Sequence, residues 1–329
     1  MSWLEVKIRT QREGADALEQ LLENAGAVSV TLIDAENEPL FEPGPGETPL
    51  WNHVVVTGLF PQGTDATALQ LQLAAAWSPE PLPPLRWIEL PEQDWVRAWL
   101  DDFHPMRFGK RLWVCPSWWL ADGTDATLWT PPAADAAAWE QRHAALLQDI
   151  QDTNAAVLRL DPGLAFGTGT HPTTSLCLQW LDAQPLEGLR LVDYGCGSGI
   201  LGLAALLLGA GTVYGVDNDP QALMATAENC RKNSIDPARF PSYLPDAWSR
   251  RLATGEVGLI DGMMANILAG TLVQLAELLS LHVKHGGWIL LSGILHDQAE
   301  AVVSAYTPWF RDFAVAQEGD WVRISATRR

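Results

Sequence analysis

The sequence is poor in cysteine, in positive charge and in long apolar runs, and each shortage excludes a class of protein. Its four cysteines, Cys115, Cys177, Cys196 and Cys230, are scattered with no C-x-x-C pair, which argues against a disulfide framework or a zinc cluster and assigns them reduced, packed positions. No metal site is expected. No apolar run approaches the roughly 18 to 20 uncharged residues that span a bilayer. The opening residues Met1-Ser2-Trp3-Leu4-Glu5 lack the basic and apolar regions of a signal peptide, so the expectation is a cytoplasmic protein with no membrane association. Lysine and arginine number 21 against 40 aspartates and glutamates, a net charge of -19. Direct nucleic-acid binding is not expected from that balance, because displacing phosphate counterions needs concentrated positive charge.

The negative charge is uneven. Residues 1–60 hold ten acidic and three basic residues, Glu36 and Glu38 among the acids, while residues 161–329 hold seventeen and eleven. The dense N-terminal charge reads either as a solubilising surface or as a docking surface for a basic macromolecule.

A chain of 329 residues leaves room for two or three domains, and hydrophobic residues at 47% supply a substantial core. Along residues 1–92, alternation and helical spacing predict strands at Trp3–Ile8, Val28–Ile33, Val54–Phe60 and Leu85–Leu90, and helices at Ala15–Ala25 and Thr67–Trp77. That β-α-β-β-α-β order is the split βαβ, ferredoxin-like arrangement. Residues 93–159 read as an aromatic-rich connector, with Trp95 and Trp99 on a short helix and an insertion over 121–153. From residue 160 to 329, β/α alternation predicts strands at 189–194, 212–217, 241–244, 258–265, 287–292, 313–318 and 321–326. The expected fold class is therefore α/β, a doubly wound seven-stranded sheet with a smaller N-terminal ferredoxin-like α+β domain. Only Gly319 and Asp320 separate the last two strands, so they form a hairpin and the final strand is antiparallel.

The strongest local signal is Asp193-Tyr194-Gly195-Cys196-Gly197-Ser198-Gly199, which ends a β-rich run and opens the apolar helix Ile200–Leu208. Glycines there let the backbone turn sharply and approach a ligand with no Cβ in the way. A pyrophosphate fingerprint would place its third glycine one position later, where Ile200 stands. The acid-led G-x-G-x-G spacing instead resembles class I methyltransferases that bind S-adenosylmethionine. A second acid, Asp217, ends the next strand 24 residues on, where a doubly wound fold needs an acceptor for ribose hydroxyls.

A rarer element runs from Leu160 to Thr174, through Asp161-Pro162-Gly163-Leu164-Ala165-Phe166-Gly167-Thr168-Gly169-Thr170-His171-Pro172-Thr173. With Asn266-Ile267-Leu268 at the end of the fourth strand, it closely resembles the PrmA family, bacterial methyltransferases of large-subunit ribosomal protein eleven. The stretches Phe41-Glu42-Pro43, Asp94-Trp95 with Trp99, and Phe103-His104-Pro105-Met106-Arg107-Phe108-Gly109 look like the same family, so the likeness covers nearly the whole chain. The departure is Ala121 to Thr153, longer than the family's usual connector.

The resemblance implies methyl transfer from S-adenosylmethionine to lysine ε-amines and the N-terminal α-amine of a basic large-subunit ribosomal protein. It implies substrate recognition by the N-terminal domain and cofactor contacts at Thr174, Gly195, Asp217 and Asn266; the chain is expected to be a monomer. Thr174 falls in the first turn of a helix announced by Thr170 and Pro172, where free N–H groups can reach a carboxylate. Asn266 ends a buried strand, where its amide oxygen can accept from an ammonium or an incoming amine. No side chain is assigned as catalytic, because a sulfonium methyl needs mainly a neutral amine held in line. His171, beside a helix N-terminus, reads as a base or, as such histidines more often are, a structural hydrogen-bond donor or packing residue, and Phe166 as an aromatic wall for the sulfonium. A dinucleotide-dependent oxidoreductase and a non-enzymatic acidic adaptor are the alternative classes; neither accounts for the Gly163–Thr174 segment.

Overall fold

The computed structural model describes residues 3–36, 50–78, 81–90, 105–119, 155–161 and 170–329, with isolated helical positions at 141, 144 and 148. The Trp95/Trp99 helix, Phe166 with the rest of 162–169, Glu38 and most of the 121–153 insertion lie outside the described residues. The chain divides into two compact units, Met1–Leu100 and Asp101–Arg329.

In the first unit, strands β1 (Trp3–Gln11), β2 (Ser29–Asp34), β3 (His53–Phe60) and β4 (Leu85–Leu90) form a sheet of order β2-β3-β1-β4. All its neighbours are antiparallel. Helices α1 (Arg12–Asn24) and α2 (Ala66–Trp77) follow β1 and β3. This is the split βαβ order that the alternation predicts. Period-two burial puts Val6, Ile8, Val54 and Val56 inward, where they meet Ala15, Leu18 and Leu22 of α1 and Leu69 and Leu73 of α2. Asp65 caps α2, its carboxylate accepting from the N–H groups of Thr67 at 2.8 Å and Ala68 at 3.2 Å.

The second unit opens with β5 (Met106–Phe108), β6 (Leu112–Cys115) and β7 (Ala156–Arg159), a three-stranded sheet. The sequence reading had only an aromatic connector here. Its hairpin is pinned from a distance: Asp182 accepts the backbone N–H groups of Lys110, Arg111 and Leu112 at 2.6, 3.1 and 3.1 Å. A Cβ on Gly109, whose φ is +72°, would overlap the Asp182 carboxylate.

Helix α3 (Pro172–Asp182) leads into β8 (Arg190–Tyr194), α4 (Ile200–Leu207), β9 (Thr212–Val216), α5 (Pro220–Lys232), β10 (Ser242–Tyr243), α6 (Pro245–Ala253) and β11 (Ile260–Asn266). Two short helices, α7 (Ala269–Gln274) and α8 (Ala276–Leu281), precede β12 (Val283–Leu295), α9 (Ala299–Tyr306), β13 (Phe310–Glu318) and β14 (Trp321–Arg328). The seven-stranded sheet has the order β10-β9-β8-β11-β12-β14-β13. The strands from β10 to β12 are mutually parallel, and β14 runs antiparallel to both β12 and β13, as the Gly319-Asp320 turn predicts.

The parallel strands are apolar on both sides because helices cover both faces. Leu191, Met264 and Leu290 join the core under α3, α4 and α5, while Val192, Met263, Ala265 and Leu291 join the opposite core under α6 to α9. All four cysteines are buried, and burial pushes the Cys115 and Cys177 thiols up to about 12 and Cys230 to about 11, so they are poor nucleophiles. Among the described residues, no helix is long and apolar enough to cross a membrane.

Candidate functional site

In an open sheet the ligand crevice lies outside the carboxyl ends of the strands, where strand order reverses. Here that point is between β8 and β11, whose neighbours progress in opposite directions. A cleft of about 230 Å³ opens there, and Thr174, Gly195, Asp217 and Asn266 all line it. The structure thus brings together the four candidate site residues of the sequence.

Each arrives by a local rule. Gly195 turns the chain out of β8 with φ +77°, and its N–H donates to the Val216 carbonyl at 2.7 Å. A Cβ there would overlap the Ile267 Cγ2, so any other side chain meets both an unfavourable backbone and an occupied space. Asp217 follows β9, and its two carboxylate oxygens accept the N–H groups of Gly197 at 2.9 Å and Asp219 at 3.0 Å. A carboxylate has about four lone-pair sites, so acceptor capacity remains for a pair of hydroxyls. Asn266 ends β11 and donates from Nδ2 to Thr174 Oγ1 at 3.3 Å, leaving its Oδ1 as an acceptor. Thr174 is buried in the first turn of α3.

Asp193, the acid that leads the glycine loop, is the cleft's electrostatic peculiarity. It is fully buried and accepts the Gly202 N–H at 2.9 Å. Burial, reinforced by the nearby Asp217 charge and opposed by the Gly202 hydrogen bond, raises its carboxyl from 3.8 to about 7.

His171 is not among the cleft-lining residues. It is the N-cap of α3, the helix that Thr170 and Pro172 announce: its Nδ1 accepts the Thr173 N–H at 3.3 Å, and its ring meets Trp321 edge-on at 4.8 Å. Burial lowers its basicity. An imidazole whose Nδ1 caps a helix serves structure, so the structural reading of His171 is the one the geometry favours.

Sequence reasoning gave no role to Asn218 and Ile267, which also line the cleft. Their only signal was adjacency to Asp217 and Asn266. Thr226 and Asn229 of α5 were missed too; Thr226 Oγ1 donates to the Gly197 carbonyl at 3.0 Å and Asn229 Nδ2 to the Ser198 carbonyl at 2.9 Å, fixing the loop from behind. The arrangement offers acceptors at one end, bare backbone in the middle and an amide at the other. That set suits a ligand carrying ribose hydroxyls and a positively charged amino-acid moiety.

A sheet of this order with an acid-led glycine loop after its first parallel strand and a second acid after the next defines the S-adenosylmethionine-dependent methyltransferases. Within that class, residues 2–128 and 138–329 match the family model described as Ribosomal protein L11 methyltransferase (PrmA), and the chain belongs to that family. A Ribosomal protein L11 methyltransferase of Cellvibrio japonicus (strain Ueda107) is 47% identical over 328 residues, covering 100% of this chain and 99% of the relative. One from Pseudomonas aeruginosa (strain PAO1) is 47% identical over 329 residues with the same coverage. Among solved structures, the ribosomal protein L11 methylase of Lactobacillus delbrueckii subsp. bulgaricus matches with a TM-score of 0.52 and 27% identity, covering 69% of this chain and 100% of that one.

Proposed function

We propose that this chain transfers methyl groups from S-adenosylmethionine to the lysine ε-amines and N-terminal α-amine of ribosomal protein L11. The observation that carries this reading is the family match along the chain, joined to a cleft at the carboxyl ends of β8, β9 and β11 lined by Thr174, Gly195, Asp217 and Asn266. In it, Asp217 holds the ribose hydroxyls, Gly195 admits the cofactor against bare backbone, and Thr174 with Asn266 holds the amino-acid end. When bound, S-adenosylmethionine supplies an electrophilic methyl group.

The protein's own contribution is to select a neutral amine and orient it. A lysine with a reference pKa of about 10.4 is almost wholly protonated at pH 7, so partial desolvation at the cleft mouth and the positive cofactor together favour the neutral form. The Asn266 Oδ1 is an acceptor for the remaining amine protons. Residues 1–92 recognise the substrate and residues 160–329 transfer the methyl group, with the β5–β7 sheet of 93–159 packed into the core of the second unit. The enzyme works as a cytoplasmic monomer without contacting nucleic acid.

The test is intact-mass analysis of purified L11 after incubation with the chain and S-adenosylmethionine. Increments of one methyl group, confined by peptide mapping to amines, are expected. An unchanged L11 mass in the presence of demonstrated cofactor binding overturns the substrate assignment.

A further inference from the structure

A second cavity lies away from the cofactor cleft. It is a groove of about 380 Å³ between α1 and α2 of the first unit, with Ala17, Gln20 and Leu21 on one wall and Gln72, Ala76 and Trp77 on the other. Its volume falls within the roughly 300–1,000 Å³ of ligand-binding clefts. Its two rims differ in chemistry. α1 carries Glu13, Asp16, Glu19 and Glu23 against a single Arg12, and among the described residues Glu13 and Asp16 have no hydrogen-bond or ion-pair partner. α2, by contrast, has no charged residue from Ala66 to Trp77, and its Gln72, Leu73, Ala76 and Trp77 face the groove. On a chain of net charge -19, an uncharged wall opposite a carboxylate-bearing one suits an amphipathic partner.

Two helices of 13 and 12 residues bound a trough roughly 18 to 20 Å long at 1.5 Å per residue. A third helix of three or four turns fits such a trough, its ridge seated between the two below. We infer that the α1/α2 groove docks a basic amphipathic helix of the methyl-accepting protein, its cations over the carboxylates of α1 and its small apolar side chains against α2. Naming that partner rests on the function proposed above. The carboxylates of Glu13 and Asp16 suit this role because no described residue competes for them. Glu36 does not, since it is already paired with Arg9 and with His53, and reversing its charge breaks contacts within the sheet.

The experiment uses the full chain, purified L11 and four variants: Ala17→Arg, Ala17→Glu, the double change Glu13→Lys with Asp16→Lys, and Glu89→Lys as an exposed charge control on β4. L11 affinity, the L11 KM, kcat at saturating L11 and cofactor affinity are measured at low and physiological salt, with circular dichroism to verify folding. Both Ala17 variants fill the trough, so both are expected to weaken L11 about ten-fold, with kcat and cofactor affinity unchanged. The double reversal is expected to weaken L11 and flatten its salt dependence, while the control does neither. If Ala17→Arg weakens L11 but Ala17→Glu does not, charge acts without occupancy and the groove assignment falls. If the wild-type chain is dimeric and the Ala17 variants are monomeric, a second copy occupies the groove and the inference is overturned. Wild-type methylation of L11 with unaffected variants refutes the groove alone, whereas absent wild-type binding to L11 refutes the functional reading as well.

Discussion

Replacing Asp193 with asparagine tests the electrostatics of the cleft. The side chain is buried, accepts one hydrogen bond from Gly202, and titrates near 7 in place of 3.8. Between those two values the folded protein retains a proton that the unfolded chain has lost, so stability is complete below about pH 4, falls as the pH rises, and is fully reduced above about pH 7. Each ten-fold change in proton affinity is about 1.4 kcal/mol, which puts the cost of the folded carboxylate on the order of 4 kcal/mol. Asparagine keeps the shape and the acceptor for Gly202 but has no charge to bury. About 2.6 kcal/mol of that cost develops between pH 5 and pH 8, so at about 2–4 °C per kcal/mol for a unit of this size the Tm advantage of Asp193→Asn is expected to grow by about 5–10 °C over that range without cofactor. Calorimetric scans across that range measure it. Cofactor binding is expected to show the opposite trend: the ionised wild-type carboxylate attracts a cationic ligand, so affinity rises with pH through 7 in the wild type and stays flat in the variant. A Tm difference that does not vary with pH refutes the account of Asp193 as a buried, charge-penalised acid.

Other substitutions probe separate parts of the frame. Asp217→Ala is expected to weaken S-adenosylmethionine by about 1.5–3 kcal/mol in titration calorimetry, since it removes a charged acceptor, while leaving L11 affinity unchanged. Gly195→Ala is expected to abolish cofactor binding and to lower stability by about 1–3 kcal/mol in denaturant titrations, because the residue has φ +77° and its Cβ would overlap Ile267; the bulkier Gly195→Arg meets the same obstacle and is not a purely cofactor-blocking change. Asp182→Ala strands three backbone donors of the β5–β6 hairpin and is expected to cost about 1–3 kcal/mol or more of unfolding free energy. His171→Asn keeps a helix cap, so methylation rates in this variant are expected to stay near wild type at pH 7; a large loss of kcat would restore the imidazole as a base.

What was legible in the sequence was local. Gly195 and Asp217 stand at strand ends and announce themselves by residue type and spacing, and Thr174 and Asn266 come with motifs whose neighbours are equally distinctive. The first unit's strands were readable because they are long enough to show a period of two, and the seven-stranded sheet because β-rich and helical stretches follow one another along the chain. The β5–β7 sheet was not: strands of three and four residues carry no period, and β7 finds its partner where Ala156 pairs with Leu112. Asp182 looks like any helix-end acid until the fold brings residues 110–112 to it. Thr226 and Asn229 lie on a helix whose sequence gives no sign that it backs a glycine loop. β12 runs from Val283 to Leu295, beyond the expected 287–292: Val283 pairs with Ile260 of β11 at its start, and past Leu291 its register with β14 shifts and the strand continues. The structural role expected of a histidine beside a helix N-terminus is the one His171 takes, as the N-cap of α3.

The placement of β14 bears on how the second unit acquires its structure. β14 is wedged between β12 and β13, so neither of those strands has its neighbour on that side until residues 321–328 are in position. β13 precedes β14 in the chain yet has no other strand partner among the described residues, and during synthesis it must wait. Over that interval β12 presents an unpaired edge rich in Ile289, Leu290, Leu291 and Ile294, a template for association between nascent chains. Completion is fast once β14 emerges from the ribosome, because the two-residue turn brings it back along β13 with almost no loop to close. The hairpin therefore works as a latch on the sheet, and variants that slow its closure are expected to lower soluble yield more than they lower the equilibrium stability of protein that has already folded.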